Sequence, residues 1–150
     1  MPQSLVSLHA HVIFSTKYHE PTIDTDLAPR LNGYIGGIVG KTGSVLITIG
    51  GVADHVHLLV SLGRQTCIAD LVRDVRSNSS KWVHEAFPDR VAFGWQAGYG
   101  AFAVSASLLD RVKGYTAGQE DRHRRQTFQD EFREFLTKHG IARDERYVWD

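Results

Sequence analysis

The sequence predicts an α+β fold with an antiparallel sheet at its centre, and three observations carry that prediction. Short stretches with apolar alternation of period two are interleaved with longer stretches whose apolar residues recur near every fourth position. Two of the alternating stretches lie so close together that a hairpin must join them. No internal repeat or low-complexity linker divides the chain, so residues 1–150 are expected to form one domain.

In chain order, Leu5 to Lys17 forms the first predicted strand, with Leu8, Ala10, Val12 and Phe14 alternating against His9, His11, Ile13 and Ser15. A first helix runs from Thr22 to Gly40. Thr22, Asp24 and Asp26 are capping residue types, Leu27, Leu31, Ile35, Ile38 and Val39 share a face, and Gly40-Lys41-Thr42-Gly43 ends it. Ser44 to Gly50 is the second strand, and Gly51-Val52-Ala53-Asp54 turns the chain into the third. Beyond Gly63, Ile68, Leu71, Val72, Val75, Ser79, Trp82 and Val83 fall on one face of a second helix. Gly94 to Gly100 is a glycine-punctuated loop that lacks the Lys-Ser/Thr ending of a phosphate-cradling loop, and Ala101 to Ser105 is the last strand. A third helix from Leu108 to about Arg125 places Leu108, Leu109, Val112 and Tyr115 together, and Phe128, Phe132, Phe135 and Leu136 mark a short amphipathic helix ending at Gly140. The order βαββαβ with additional C-terminal helices is the ferredoxin-like arrangement, with two helices on one face of the sheet and the third strand central.

Composition narrows the function classes. Lysine plus arginine and aspartate plus glutamate stand at 17 each, so no global field draws the chain to nucleic acid or membrane, and any such contact must come from local patches. The one cysteine, Cys67, excludes a disulfide framework and a cysteine-based zinc site. The N-terminus lacks the pattern of a signal peptide and no apolar run is long enough to span a bilayer, so a cytoplasmic protein without membrane contact is expected.

The chemistry concentrates in Asp54-His55-Val56-His57-Leu58-Leu59-Val60. On a strand His55 and His57 point the same way while Val56 and Leu58 point into the opposite layer. Such a pair is either a set of imidazole ligands for a divalent metal or two histidines satisfied by hydrogen bonds at a sheet edge. A second pair, His9-Ala10-His11, has the same spacing, reads as structural or supporting, and has no partner in the sequence to explain it. On the third helix Gln119 sits one turn beyond Tyr115, either as a hydrogen-bond partner for a buried tyrosine or as part of a site. Gly114 and Gly118 flank that tyrosine and weaken its helix. Arg73, Arg76 and Lys81 on the second helix and Arg122, Arg124 and Arg125 at the C-terminus of the third are solvated charges or phosphate contacts.

Together, Asp54 to Leu59, the stretch Trp95-Gln96-Ala97-Gly98-Tyr99-Gly100-Ala101-Phe102-Ala103-Val104-Ser105, and Tyr115 with Gln119 resemble the single-tyrosine HUH transposases of small bacterial insertion sequences, the IS200-like group that includes the REP-associated tyrosine transposases. The likeness runs from Phe14-Ser15-Thr16-Lys17 to Asp144-Glu145-Arg146-Tyr147-Val148-Trp149. It implies that His55, His57 and Gln119 hold Mg²⁺ or Mn²⁺, and that Tyr115 attacks a phosphodiester of single-stranded DNA to give a 5′-phosphotyrosine link and a 3′-OH. It further implies strand transfer to a 3′-OH, hairpin ends of a mobile element as substrate, a homodimer, DNA contacts from basic residues such as Lys17, and a place at the bacterial nucleoid. Thr116 and Gly118 depart from the bulky apolar residue and the asparagine usual in the family, and His123-Arg124 stands where a histidine pair is common. The alternatives are a host-retained or inactive relative that binds DNA hairpins, and a replication or mobilisation nickase with the same chemistry. A histidine-triad hydrolase would need a histidine at Leu59, and an RNA-binding sheet would expose aromatics where this one carries histidines.

Overall fold

The structure, a computed structural model, describes residues 3–119, 126–146, 148 and 149. Its elements are β1 (His9–Ser15), α1 (Leu27–Lys41), β2 (Val45–Val52), β3 (His55–Ser61), α2 (Ile68–Ala86), β4 (Gly100–Val104), α3 (Leu109–Ala117) and α4 (Phe128–Lys138). All strand pairs are antiparallel and the sheet order is β2-β3-β1-β4, so the histidine strand β3 is central as expected.

Alternation along the two central strands divides the molecule into two layers of core. Ala10, Val12 and Phe14 of β1 and Val56, Leu58 and Val60 of β3 point into one cluster with Leu27, Leu31 and Ile35 of α1 and Leu71, Val72 and Val75 of α2. The other face is smaller, with Ile13 and Phe102 packed against Phe128, Phe132 and Leu136 of α4. His55 and His57 belong to that second face, beneath α3 and α4.

Besides α1, which begins at Leu27 and not Thr22, with Asp24 Oδ1 accepting from the Leu27 N–H at 2.9 Å, three elements differ from the sequence expectation. β1 begins at His9, not Leu5, because Leu5 and Leu8 are exposed and have no layer to pack into. β2 continues through Gly50 and Gly51 to Val52, pairing Gly50 with His57 and Val52 with His55, after a register shift between Leu46 and Thr48. These glycines resemble a turn signal, yet Gly50 is a strand residue for a packing reason: a Cβ there would lie 1.9 Å from the Thr116 carbonyl oxygen of α3. Third, α3 ends at Ala117, where Gly118 supplies the C-cap, and residues 120–125 of the helix expected to reach Arg125 lie outside the described residues. Its buried residue is Thr116, which faces Gly50, while Leu108 is exposed.

The close crossing of α3 over Gly50 sets the height of Tyr115 above the sheet. Gly50→Ala is therefore expected to push α3 outward and destabilise the fold by about 1–3 kcal/mol, measured as a lower urea midpoint at unchanged slope.

Candidate active site

Two strands, a helix end and the last helix converge on one spot. β3 supplies His55 and His57, both fully buried. Each ring is held from behind through Nδ1. The Asp54 carboxylate lies 2.7 Å from His55 Nδ1, and His11 Nε2 lies 2.8 Å from His57 Nδ1. Both Nε2 atoms turn toward Glu131 of α4, whose Oε1 is 2.9 Å from His57 Nε2 and 3.7 Å from His55 Nε2. The side-chain oxygen of Gln119 approaches His55 Nε2 at 3.4 Å, its amide oriented by donation from Nε2 to the Tyr115 carbonyl at 3.2 Å. Tyr115 donates its hydroxyl hydrogen bond to the other Glu131 oxygen, Oε2. Its ring stands edge-on to His57 at 5.9 Å between centroids, over the histidines of its own chain.

Packing keeps this cluster dry. Phe128 stacks on His55 at 4.4 Å between ring centroids, and Phe135 stands edge-on to Tyr115 at 5.6 Å. Gln119 and Glu131 are buried with the histidines, and Tyr115 is half-buried. Burial, reinforced by the neighbouring His57, pulls the His11 imidazole down to about 3, so His11 is neutral and can exchange a single hydrogen bond with His57.

The electron-pair count defines what the arrangement can do. In the tautomer with the His55 proton on Nδ1, toward the Asp54 carboxylate, Nε2 would present a lone pair to the oxygens of Gln119 and Glu131. Electron-pair donors that face one another in a low-dielectric pocket are bridged either by ring protons or by a metal cation. One ligand atom each from His55, His57 and Glu131 lie within 4.8 Å of one another, so the three can hold a metal ion. Two imidazoles with oxygen donors and no thiolate suit a divalent ion of intermediate hardness. The Nδ1 contacts to Asp54 and His11 are the usual outer support of such ligands.

The structure thus brings together His55, His57, Gln119 and Tyr115 from the sequence reading and adds Glu131, Asp54 and His11. His11 has a partner after all, since it backs His57 across the β1–β3 pair. The basic candidates do not join them. Arg73, Arg76 and Lys81 lie on α2, on the opposite face of the sheet; Arg73 pairs with Asp70 and Asp74, and Arg76 donates to the carbonyls of Gln96 and Ala97. Lys17 is exposed at the end of β1, and Arg122, His123, Arg124 and Arg125 lie outside the described residues.

A four-stranded antiparallel sheet bearing a buried histidine pair, which with Glu131 could hold a metal ion, beneath a tyrosine helix defines the class as an α+β protein of this architecture. The chain belongs to the IS200-like transposase family, whose model matches residues 4–119. It is 28% identical over 120 residues to the ISDra2 transposase TnpA of Deinococcus radiodurans, covering 77% of this chain and 86% of that protein. Among solved structures it is similar to a candidate transposase from Deinococcus radiodurans R1, with a TM-score of 0.63, 24% identity, and 77% of this chain and 95% of that one covered. It is also similar to a REP-associated tyrosine transposase bound to a REP hairpin, with a TM-score of 0.56, 10% identity, and 95% and 74% covered. These two likenesses bear on the fold. The matched region ends at Gln119, before α4 and Glu131. Among the described residues, no helix is long and apolar enough to cross a membrane.

Proposed function

We propose that this chain is a metal-dependent single-stranded DNA transposase, with DNA binding and strand cleavage in one domain and Tyr115 as its nucleophile. The observation that carries this is the meeting of His55 Nε2, His57 Nε2 and the Tyr115 hydroxyl on the single carboxylate of Glu131. His55 and His57 would hold the ion, with oxygen donors from Glu131 and Gln119, and Mg²⁺ or Mn²⁺ fits that set. When bound, the ion supplies Lewis-acid polarisation of the scissile phosphate.

The remaining work falls to the chain. A tyrosine hydroxyl with an ordinary pKa near 10 is a weak nucleophile at neutral pH, so placement has to supply much of the rate. Glu131 orients that hydroxyl, and Gln119 ties the end of the tyrosine helix to His55. In the step itself the Tyr115 Oη–P bond forms and the P–O3′ bond breaks. The departing 3′ oxygen takes up a proton while the tyrosine proton is lost to solvent. The 5′-phosphotyrosine keeps the phosphodiester's free energy, so a later 3′-OH can reverse the exchange and join new ends without a nucleotide cofactor. With the Phe128 ring stacked on His55, a phosphate reaches the histidines only when that ring yields.

Hairpin ends as substrate are supported by the REP hairpin bound in the structurally similar transposase. A homodimer is part of the proposal, and light scattering should give twice the 16.8 kDa chain mass. The function is tested on a denaturing gel of the protein with labelled single-stranded hairpin DNA, with Mn²⁺ or with EDTA. A slow-migrating covalent band that requires the metal is expected. Hairpin binding without any such band would identify a relative that binds and does not cut, and neither binding nor a band would reject the DNA assignment.

A further inference from the structure

Building on the DNA-cleavage proposal, we infer that Tyr18, with Lys17 beside it, is a base-stacking subsite for the single strand at the edge of the histidine cluster. Tyr18 has φ +59° and the following His19 has φ +57°, two consecutive bulky residues in the left-handed region that normally favours glycine. Backbone strain of this kind persists only where the surroundings over-determine it. Here they do. Thr16 N–H donates to the Asp54 carbonyl at 2.8 Å, Lys17 N–H to the Gly94 carbonyl at 2.8 Å, and His19 N–H to the Thr16 carbonyl at 3.0 Å.

Strain is commonly offset by packing of the strained side chain, and Tyr18 has little. It is 78% exposed, and its recorded ring contact is the Lys17 ammonium, 5.4 Å from the ring centroid. The backbone conformation turns the His19 ring inward against Phe128 and Trp149 and leaves the tyrosine outside. An exposed, rigidly mounted aromatic next to a cation is the pairing that single-stranded DNA readers use, the ring stacking on a base and the cation meeting the neighbouring phosphate.

Position selects the ligand. The turn carrying Tyr18 is bolted to Asp54, whose carboxylate holds His55, and its His19 ring packs at 5.6 Å on the Phe128 ring that covers His55. This turn therefore borders the histidine pair, and a strand with its scissile phosphate at His55 and His57 has the Tyr18 ring beside its path. Stacking on an exposed ring is tolerant of sequence, so Tyr18 contributes affinity and alignment with little base selectivity.

The test compares Tyr18→Gly, Tyr18→Trp and wild type for thermal melting, for binding of fluorescent single-stranded hairpin DNA with a single-stranded flank, and for covalent adduct formation at saturating DNA. Tyr18→Gly should melt no lower than wild type, because glycine relieves the left-handed backbone. It should bind the flanked DNA about five- to a hundredfold more weakly and still form adduct at saturation, while Tyr18→Trp stays near wild type. Equal binding by Tyr18→Gly, or a clear fall in its melting temperature, would overturn the inference and make the ring a support for the fold. Wild-type protein that neither binds nor forms adduct would instead reject the underlying DNA-cleavage proposal.

Discussion

Tyr115→Phe should abolish covalent attachment to single-stranded DNA, by at least about a thousandfold, while hairpin affinity stays within about twofold of wild type. The substitution removes one oxygen and leaves the ring edge-on to His57 and Phe135. The Glu131 oxygen that accepts from that hydroxyl loses one partner, at a stability cost of about 1–3 kcal/mol, which a melting curve would register separately from activity. A covalent adduct that survives in Tyr115→Phe would assign the nucleophile elsewhere.

The second large effect is expected at the ligands. His57→Ala should eliminate metal-dependent cleavage and weaken Mn²⁺ binding, read by calorimetry, at least about tenfold. It also strips His11 and Glu131 of the ring between them. A buried carboxylate without its partner is costly, so the fold should lose several kcal/mol unless a cation takes the place. Glu131→Gln is the milder companion. It keeps the volume and an oxygen for Tyr115, and removes the charge that balances a dication. It should weaken Mn²⁺ at least about tenfold with a smaller effect on melting. Unchanged Mn²⁺ affinity in both variants would remove the metal from this cluster, and a gain of cleavage in Glu131→Gln would make Glu131 a plug.

Much of the fold was legible because each strand shows its two faces in the sequence. Val56, Leu58 and Val60 against His55, His57 and Leu59 fix both the layer order and the side on which the histidines emerge. The tyrosine helix was placed correctly over that face, and the break at Gly118, whose N–H caps onto the Gly114 and Tyr115 carbonyls, was not expected inside it. His11 was undervalued because its role depends on pairing β1 with β3 in a register that brings Ile13 opposite His57. No local pattern states that register.

Glu131 was missed for a different reason, and it left a trace. Phe128, Phe132 and Leu136 define the buried stripe of α4, and Glu131 falls inside it, three residues after Phe128 and one before Phe132. A carboxylate in the apolar stripe of a short helix needs a partner of opposite charge or a hydrogen-bond donor. The histidine strand was the available one. Tyr18 could not be found this way at all, because a left-handed backbone at a tyrosine follows from the turn that Thr16, Gly94 and Asp54 impose.

The central claim is that Tyr115, standing over the histidine pair and Glu131, is the residue that becomes linked to DNA. Mass spectrometry of the trypsin- and nuclease-digested covalent complex tests this most directly. The expected result is one modified peptide carrying a 5′-nucleotide phosphate on Tyr115, formed with Mn²⁺ and absent with EDTA. A nucleotide on any other residue, or a link that forms equally well without metal, would contradict it.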